Sequence, residues 1–159
     1  MFRKGHRLFS VASIGLILVA VMHAIGHFTP PPNDLVMAAL LTAMQGYRFD
    51  LGLGSPSMLE IFESLSLTFS IMLVWAGLTN LLIARYTGIR DKLMRRVCTM
   101  NIIGVGALVV LHGIYQGSLP AISLGIVWVL FFIARFRLRR SRIVRQAPPK
   151  TSLPPNTLP

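Results

Sequence analysis

Two histidines one helical turn apart, His23 and His27, are the residues whose type and spacing most directly suggest chemistry in this chain. Side chains four positions apart lie on the same face of a helix, so both imidazoles project to one side of their segment. Imidazole binds zinc and related metals, serves as an axial ligand of haem iron and exchanges protons at physiological pH. The pair therefore defines a candidate site that other segments must complete.

The segments that carry such residues are long and apolar. Of the 159 residues, 53% are hydrophobic and only 13% are charged, and the mean hydropathy is +0.65. A helix needs about 20 apolar residues to cross the ~30 Å hydrocarbon core of a bilayer. Four runs meet this need, at residues 8–28, 61–84, 97–116 and 119–134. The sequence predicts an all-α fold, a bundle of four transmembrane helices in a lipid bilayer.

The charged residues predict how the bundle is oriented. Of the 16 Lys and Arg residues, all except Arg48 lie before the first run, between the second and third, or after the fourth. Positive segments stay in the cytoplasm, so both termini are predicted to be cytoplasmic in an inner membrane. Attraction to anionic lipid head groups is the alternative explanation for these charges. Nucleic-acid binding is not expected, because no aromatic residues interleave the arginines of the tail.

The outer loop and the tail complete the domain plan. Residues 34–47 predict a short helix at the outer interface, capped by Asn33 or Asp34. Ser57 and Glu60 have the spacing of a capping box at the start of the second span. The transmembrane domain is predicted to cover residues 1–136, and the basic, proline-rich residues 137–159 are predicted to be a disordered cytoplasmic tail.

Polar and small residues recur at helical spacing on the second and third spans. Such residues mark helix-contact faces in membranes, where hydrogen bonds and close approach replace the hydrophobic effect. Glu63 is therefore expected to point inward, and the indole of Trp128 is expected to find a partner for its N–H. Asn80 and Asn101 fall at matching depth near the cytoplasmic end. The residues assigned to helix packing are Ser66, Ser70, Asn80 and Asn101.

Polar residues also fall at matching depths near the outer ends of the helices. If adjacent antiparallel helices are neighbours, the second span bridges the first and third and brings together His23, His27, Glu60, Glu63 and His112. His6 is assigned to the solvated amino terminus and Cys98 to packing. No catalytic residue is assigned.

Four interpretations of the cluster remain open. The preferred one is a hydrogen-bonded network that fixes helix register. The others are a divalent-metal site, one haem held by His112 with either His23 or His27, and proton exchange or quinone contact at a Glu63–histidine pair.

Three segments carry a family resemblance: Met22-His-Ala-Ile-Gly-His-Phe28, Met44-Gln-Gly-Tyr-Arg-Phe-Asp50 and Glu60-Ile-Phe-Glu-Ser-Leu-Ser66. With them the chain resembles a family of small four-helix bacterial inner-membrane proteins without an assigned activity, and in architecture it is similar to DoxX-like membrane proteins. The resemblance implies the four-helix fold and the bacterial membrane, and it supplies no catalytic residues.

These observations favour an accessory or binding protein with a His/Glu site near the outer face. A redox component that depends on haem, quinone or a metal is the alternative. A membrane-protein partner or a second copy of the chain is the kind of macromolecular partner expected.

Overall fold

The structure is a computed structural model that describes residues 4–30, 34–50, 52, 54–86, 91–115 and 118–146. These residues form five helices: α1 (Lys4–Phe28), α2 (Leu35–Gly46), α3 (Met58–Tyr86), α4 (Asp91–Tyr115) and α5 (Ser118–Gln146). All except α2 are long and apolar enough to cross a membrane. The predicted all-α bundle of four membrane-spanning helices with a short loop helix is confirmed.

The loop helix and the start of α3 have the predicted caps. The side chain of Asp34 accepts a hydrogen bond from the backbone N–H of Val36 at 3.0 Å. The N–H of Ser57 donates to the Glu60 carboxylate at 2.7 Å, while the N–H of Glu60 donates to the Ser57 hydroxyl at 3.2 Å. These bonds satisfy amide groups that have no partner within a helix. α2 has no buried residue and packs against α3.

The order of the helices across the bundle differs from the expected one. α1 packs extensively against α3 and α5, and α5 packs extensively against α4, whereas α3 and α4 approach each other at few points. The second span therefore does not bridge the first and third through a continuous interface. Two glycines fit this order, because Gly77 of α3 faces α1 and Gly106 of α4 faces α5.

Close approach at two glycines illustrates this pairing. A Cβ atom at Gly77 of α3 would lie 2.5 Å from a side-chain carbon of Ile17 and 2.9 Å from the carbonyl oxygen of Ser13, both on α1. A Cβ atom at Gly106 of α4 would lie 2.9 Å from the indole nitrogen of Trp128 on α5. Glycine at these positions leaves space for the α1 backbone and for the Trp128 indole, and small residues are common where membrane helices meet.

Hydrogen bonds also join α4 to α5. The indole N–H of Trp128 donates to the carbonyl of Ile102 at 2.9 Å, which confirms that this side chain finds a partner. The thiol of Cys98, which is fully buried, donates to the carbonyl of Phe131 at 3.1 Å. The ring of Phe131 in turn meets Phe9 of α1 edge-on, with centroids 5.6 Å apart. Cys98 is a packing residue, as predicted.

The last helix is longer than the sequence predicts. α5 continues past residue 136 to Gln146, so residues 137–146 are helical and not disordered. No proline or glycine interrupts this stretch, and Leu138 is buried where Gly5 of α1 approaches it. The remainder of the predicted tail, residues 147–159, lies outside the described residues.

The outer surface of the helices is apolar. Large hydrophobic side chains are exposed along every spanning helix, such as Leu18, Trp75, Ile103 and Ile126. A surface of this kind is stable in lipid and not in water. The chain is therefore a multi-pass membrane protein.

Candidate functional site

The polar residues of the bundle lie towards its two ends. We call the end that holds the start of α1, the end of α3, the start of α4 and the end of α5 the basic end, because Arg7, Arg85, Arg96 and Arg137 lie there. We call the opposite end, which holds His23 and His112, the histidine end. An apolar groove lies between them on the side where α3 and α4 stand apart.

At the histidine end, the structure brings together His23 of α1 and Ser66 of α3. The Nε2 atom of His23 lies 3.1 Å from the hydroxyl oxygen of Ser66. This contact joins two residues that the sequence placed on the facing stripes of their helices. Ser66 therefore has the interhelical role predicted for it, while the hydroxyl of buried Ser70 donates within α3 to the Ser66 carbonyl at 3.4 Å.

Phe69 of α3 connects His23 to His112 of α4. Its ring centroid lies 5.1 Å from that of His23, edge-on, and 5.3 Å from that of His112. The Nδ1 atom of His112 lies 2.9 Å from the Leu108 carbonyl. Because a carbonyl oxygen only accepts, Nδ1 carries the hydrogen, and in a neutral ring the Nε2 atom is then an acceptor. We call His23, Ser66, Phe69 and His112 the histidine cluster.

The other predicted members stand apart from this cluster. His27 is half-buried and lies within electrostatic range of His23, but its ring packs edge-on against Phe28 at 5.0 Å. The carboxylate of Glu60 accepts a hydrogen bond from the Ser57 N–H in the capping box. Glu63 is exposed, so the expectation that it points inward is wrong. At this depth, Ser66 and Phe69 are the α3 residues that contact His23.

His6 also differs from its prediction. Its side chain is only 5% exposed, so it does not belong to a solvated terminus. α1 already begins at Lys4, and Gly5 lies so close to α5 that a Cβ atom there would be 3.0 Å from the Leu138 side chain. The start of α1 is therefore enclosed by the end of α5.

Near the basic end, Asn80 and Asn101 form the contact expected from their depths. The amide of Asn80 donates to the side-chain oxygen of Asn101 at 2.8 Å, and Asn101 donates back at 3.1 Å. Asn101 also donates to the Val97 carbonyl at 2.9 Å. This pair links α3 to α4, two helices that approach each other at few points.

The α3–α4 groove extends from Phe69 past the Asn pair and has a volume of about 580 Å³. Its lining is apolar except at the Asn pair and Thr79, and Leu16 of α1 forms its floor. Gly104 of α4 also lines it, and a Cβ atom there would meet nothing within 4 Å. This is the size of a small-molecule pocket. No local sequence pattern marks the groove, because it results from the order of the helices.

The geometry of the histidine cluster disfavours two of the open interpretations, the divalent-metal site and the haem site. Among the described residues, no group of three His, Cys, Asp or Glu side chains is arranged to hold a metal ion. The ring of Phe69 contacts both His23 and His112, so it occupies the space that a porphyrin between these two imidazoles would need. The cluster fits a hydrogen-bonding site better than it fits a metal or haem site.

The chain was compared with protein-family models, with curated proteins and with solved structures, and none of the three comparisons found a match. The resemblance to small four-helix bacterial inner-membrane proteins, and to DoxX-like proteins in architecture, therefore stays a prediction.

Proposed function

We propose that this chain is a small accessory or binding protein of a bacterial inner membrane, with both termini in the cytoplasm. Its ligand is a membrane-soluble molecule that has an apolar tail and a hydrogen-bonding head group. The tail lies in the α3–α4 groove and the head group contacts the histidine cluster. The observation that carries the proposal is an apolar groove of about 580 Å³ that is lined by Phe69, whose ring contacts the imidazoles of His23 and His112.

The groove suits a ligand that arrives from the membrane. Met72, Trp75 and Met100 line it and are also largely exposed on the surface of the helices, so it opens towards lipid. Asn80 and Asn101 already hydrogen-bond to each other, so we place the head group at the histidine end. The Nε2 acceptor of His112 and the Ser66 hydroxyl supply complementary hydrogen-bonding groups.

A quinone-dependent redox component is the second candidate. A quinone has an apolar tail and a polar ring, and histidine can change its protonation state at physiological pH. The two imidazoles beside Phe69 favour this candidate over a haem- or metal-dependent component, because an aromatic ring next to a quinone site provides a flat apolar contact.

The test is to fill the groove. In Gly104→Leu, the new side chain enters open space in the groove. Gly125→Leu is the matched control, because Gly125 also has open space around it and does not line the groove. Each protein is purified from bacterial membranes in mild detergent, and the co-purifying apolar molecules are extracted and identified by mass spectrometry.

We expect the parent protein and Gly125→Leu to retain the same compound and Gly104→Leu to lose it, with helicity unchanged in all three. Equal retention by Gly104→Leu would contradict the proposal. A parent dimer that becomes monomeric in Gly104→Leu would instead assign the groove to a second copy of the chain.

A further inference from the structure

A second cavity lies at the basic end, between α4 and α5. It has a volume of about 490 Å³ and is lined by Lys92, Arg95, Arg96, Thr99, Met100 and Arg135. We call it the basic pocket. Four of its six lining residues are cationic, and they come from two different helices. The positive charge is therefore concentrated around one concave space.

One of these cations is held in place by a hydrogen-bond chain. The Nε atom of Arg135 donates to the hydroxyl oxygen of Thr99 at 2.6 Å, and this hydroxyl donates to the Arg95 carbonyl at 2.8 Å. The guanidinium group of Arg135 is thereby fixed between α5 and α4. Guanidinium groups with a fixed orientation are well suited to phosphate oxygens.

The pocket lies where a lipid head group would lie. The two apolar spans that form it are residues Lys92–Ile114 and Pro120–Leu138. Arg135 is three residues from the end of its span, which corresponds to about 5 Å along a helix. The charges therefore stand at the boundary between the hydrocarbon and the aqueous phase.

Exposed apolar side chains continue from the pocket towards the middle of the membrane. Met100 borders the pocket and is 73% exposed. Ile103 follows it by one turn of α4, and Phe132 precedes Arg135 by one turn of α5; both are exposed. A molecule with an anionic head and an apolar chain would match the cations and these side chains together.

We infer that the basic pocket binds the phosphate head group of an anionic phospholipid, whose chains lie against Met100, Ile103 and Phe132. Basic pockets between transmembrane helices suit this class of ligand. The site is separate from the histidine cluster, and it does not depend on the function proposed for the α3–α4 groove.

The test uses fluorescence of Trp128, which lies two turns of α5 before Arg135 and stacks on Phe132 with centroids 5.7 Å apart. The chain has two tryptophans, so a Trp75→Phe background leaves Trp128 as the only reporter. The protein is placed in phosphatidylcholine vesicles that contain the same mole fraction of either brominated phosphatidylglycerol or brominated phosphatidylcholine, and quenching by the two brominated lipids is compared.

The pocket variant is the double substitution Lys92→Gln with Arg96→Gln. The matched control is Arg7→Gln with Arg85→Gln, which removes two exposed charges from the same end outside the pocket. We expect brominated phosphatidylglycerol to quench Trp128 more strongly in the parent and in the control. The pocket variant should lose roughly fivefold in relative affinity for each cation removed.

Two results would overturn the inference. Equal quenching by both brominated lipids would show that the site does not select the anionic head group, and equal losses in the two double variants would assign the preference to general surface charge. Sodium phosphate and sodium chloride are also compared at matched ionic strength. A stronger displacement by phosphate would assign the pocket to a free anion and not to a phospholipid.

Discussion

Asn80 and Asn101 exchange two hydrogen bonds, at 2.8 and 3.1 Å, across the space between α3 and α4. Asn80 is 4% exposed, whereas Asn101 is half-buried and also bonds to the Val97 carbonyl. The two residues are therefore not equivalent. Asn101→Leu leaves a buried amide with no side-chain partner, while Asn80→Leu leaves Asn101 with one bond.

We predict that Asn101→Leu lowers the free energy of unfolding more than Asn80→Leu. The double variant should show a coupling energy of roughly 0.6–1.7 kcal/mol, the range for hydrogen bonds between membrane helices. Unfolding in mixed micelles of SDS and a mild detergent measures all three values. A coupling energy near zero would mean that the pair does not join the helices.

Gly77 provides a test of the α1–α3 interface. A Cβ atom there would lie 2.5 Å from a carbon of Ile17 and 2.9 Å from the Ser13 carbonyl oxygen. We predict that Gly77→Ala destabilises the bundle by about 1–3 kcal/mol, because the backbones must separate. Gly104→Ala is the control and should be neutral or slightly stabilising, since its Cβ meets open space and alanine favours a helix. The same unfolding assay distinguishes them, and equal effects would refute the packing assignment.

The histidine cluster predicts unequal roles for the histidines. His23 and His112 both contact Phe69, whereas His27 packs against Phe28. If the head group of the groove ligand contacts the cluster, His23→Ala and His112→Ala should each reduce the amount of ligand that co-purifies. His27→Ala should retain it. Mass spectrometry of the extracted ligand makes the comparison, and a loss confined to His27→Ala would place the head group elsewhere.

The distribution of charge predicts the orientation of the bundle. A reporter inserted at residue 45, in α2, should be periplasmic, and one inserted at residue 90 should be cytoplasmic, because Lys and Arg collect on the side of residue 90. Alkaline phosphatase and green fluorescent protein fusions report the two sides. The reverse pattern would move the histidine cluster to the cytoplasmic face.

The sequence predicted two kinds of contact well. The first depends on residue spacing within one segment, and the second joins residues at equal depth on antiparallel helices. Ser57 and Glu60 show their capping box by spacing alone. Asn80 and Asn101 fall on polar stripes at equal distances from the same end, so antiparallel helices bring them to one level. Trp128 required a partner because an indole N–H is costly to bury without one.

The features that the sequence did not predict depend on which helices are neighbours. Helical periodicity identifies the inward face of α3 or α4, but it does not say which helix that face meets. The groove follows from the separation of α3 and α4, so no local pattern marks it. Phe69 has no polar group to distinguish it from other apolar residues of its span, and for that reason its position between His23 and His112 has no signal in the sequence.

Disulfide formation measures whether α3 and α4 are separated or packed against each other. In a Cys98→Ala background, Gly15→Cys with Val127→Cys joins α1 to α5, where a Cβ atom at residue 15 would lie 3.9 Å from the Cβ atom of Val127. Ala76→Cys with Gly104→Cys would instead join α3 to α4 across the groove. Both Ala76 and Gly104 line the groove, and a Cβ atom at Gly104 has no heavy atom within 4 Å. A disulfide needs Cβ atoms about 3.8 Å apart.

We predict that mild oxidation in membranes joins the 15/127 pair readily and the 76/104 pair at least roughly tenfold more slowly. Equally fast cross-linking of the two pairs would show that α3 and α4 pack continuously against each other, which would contradict the groove and the ligand-binding function built on it.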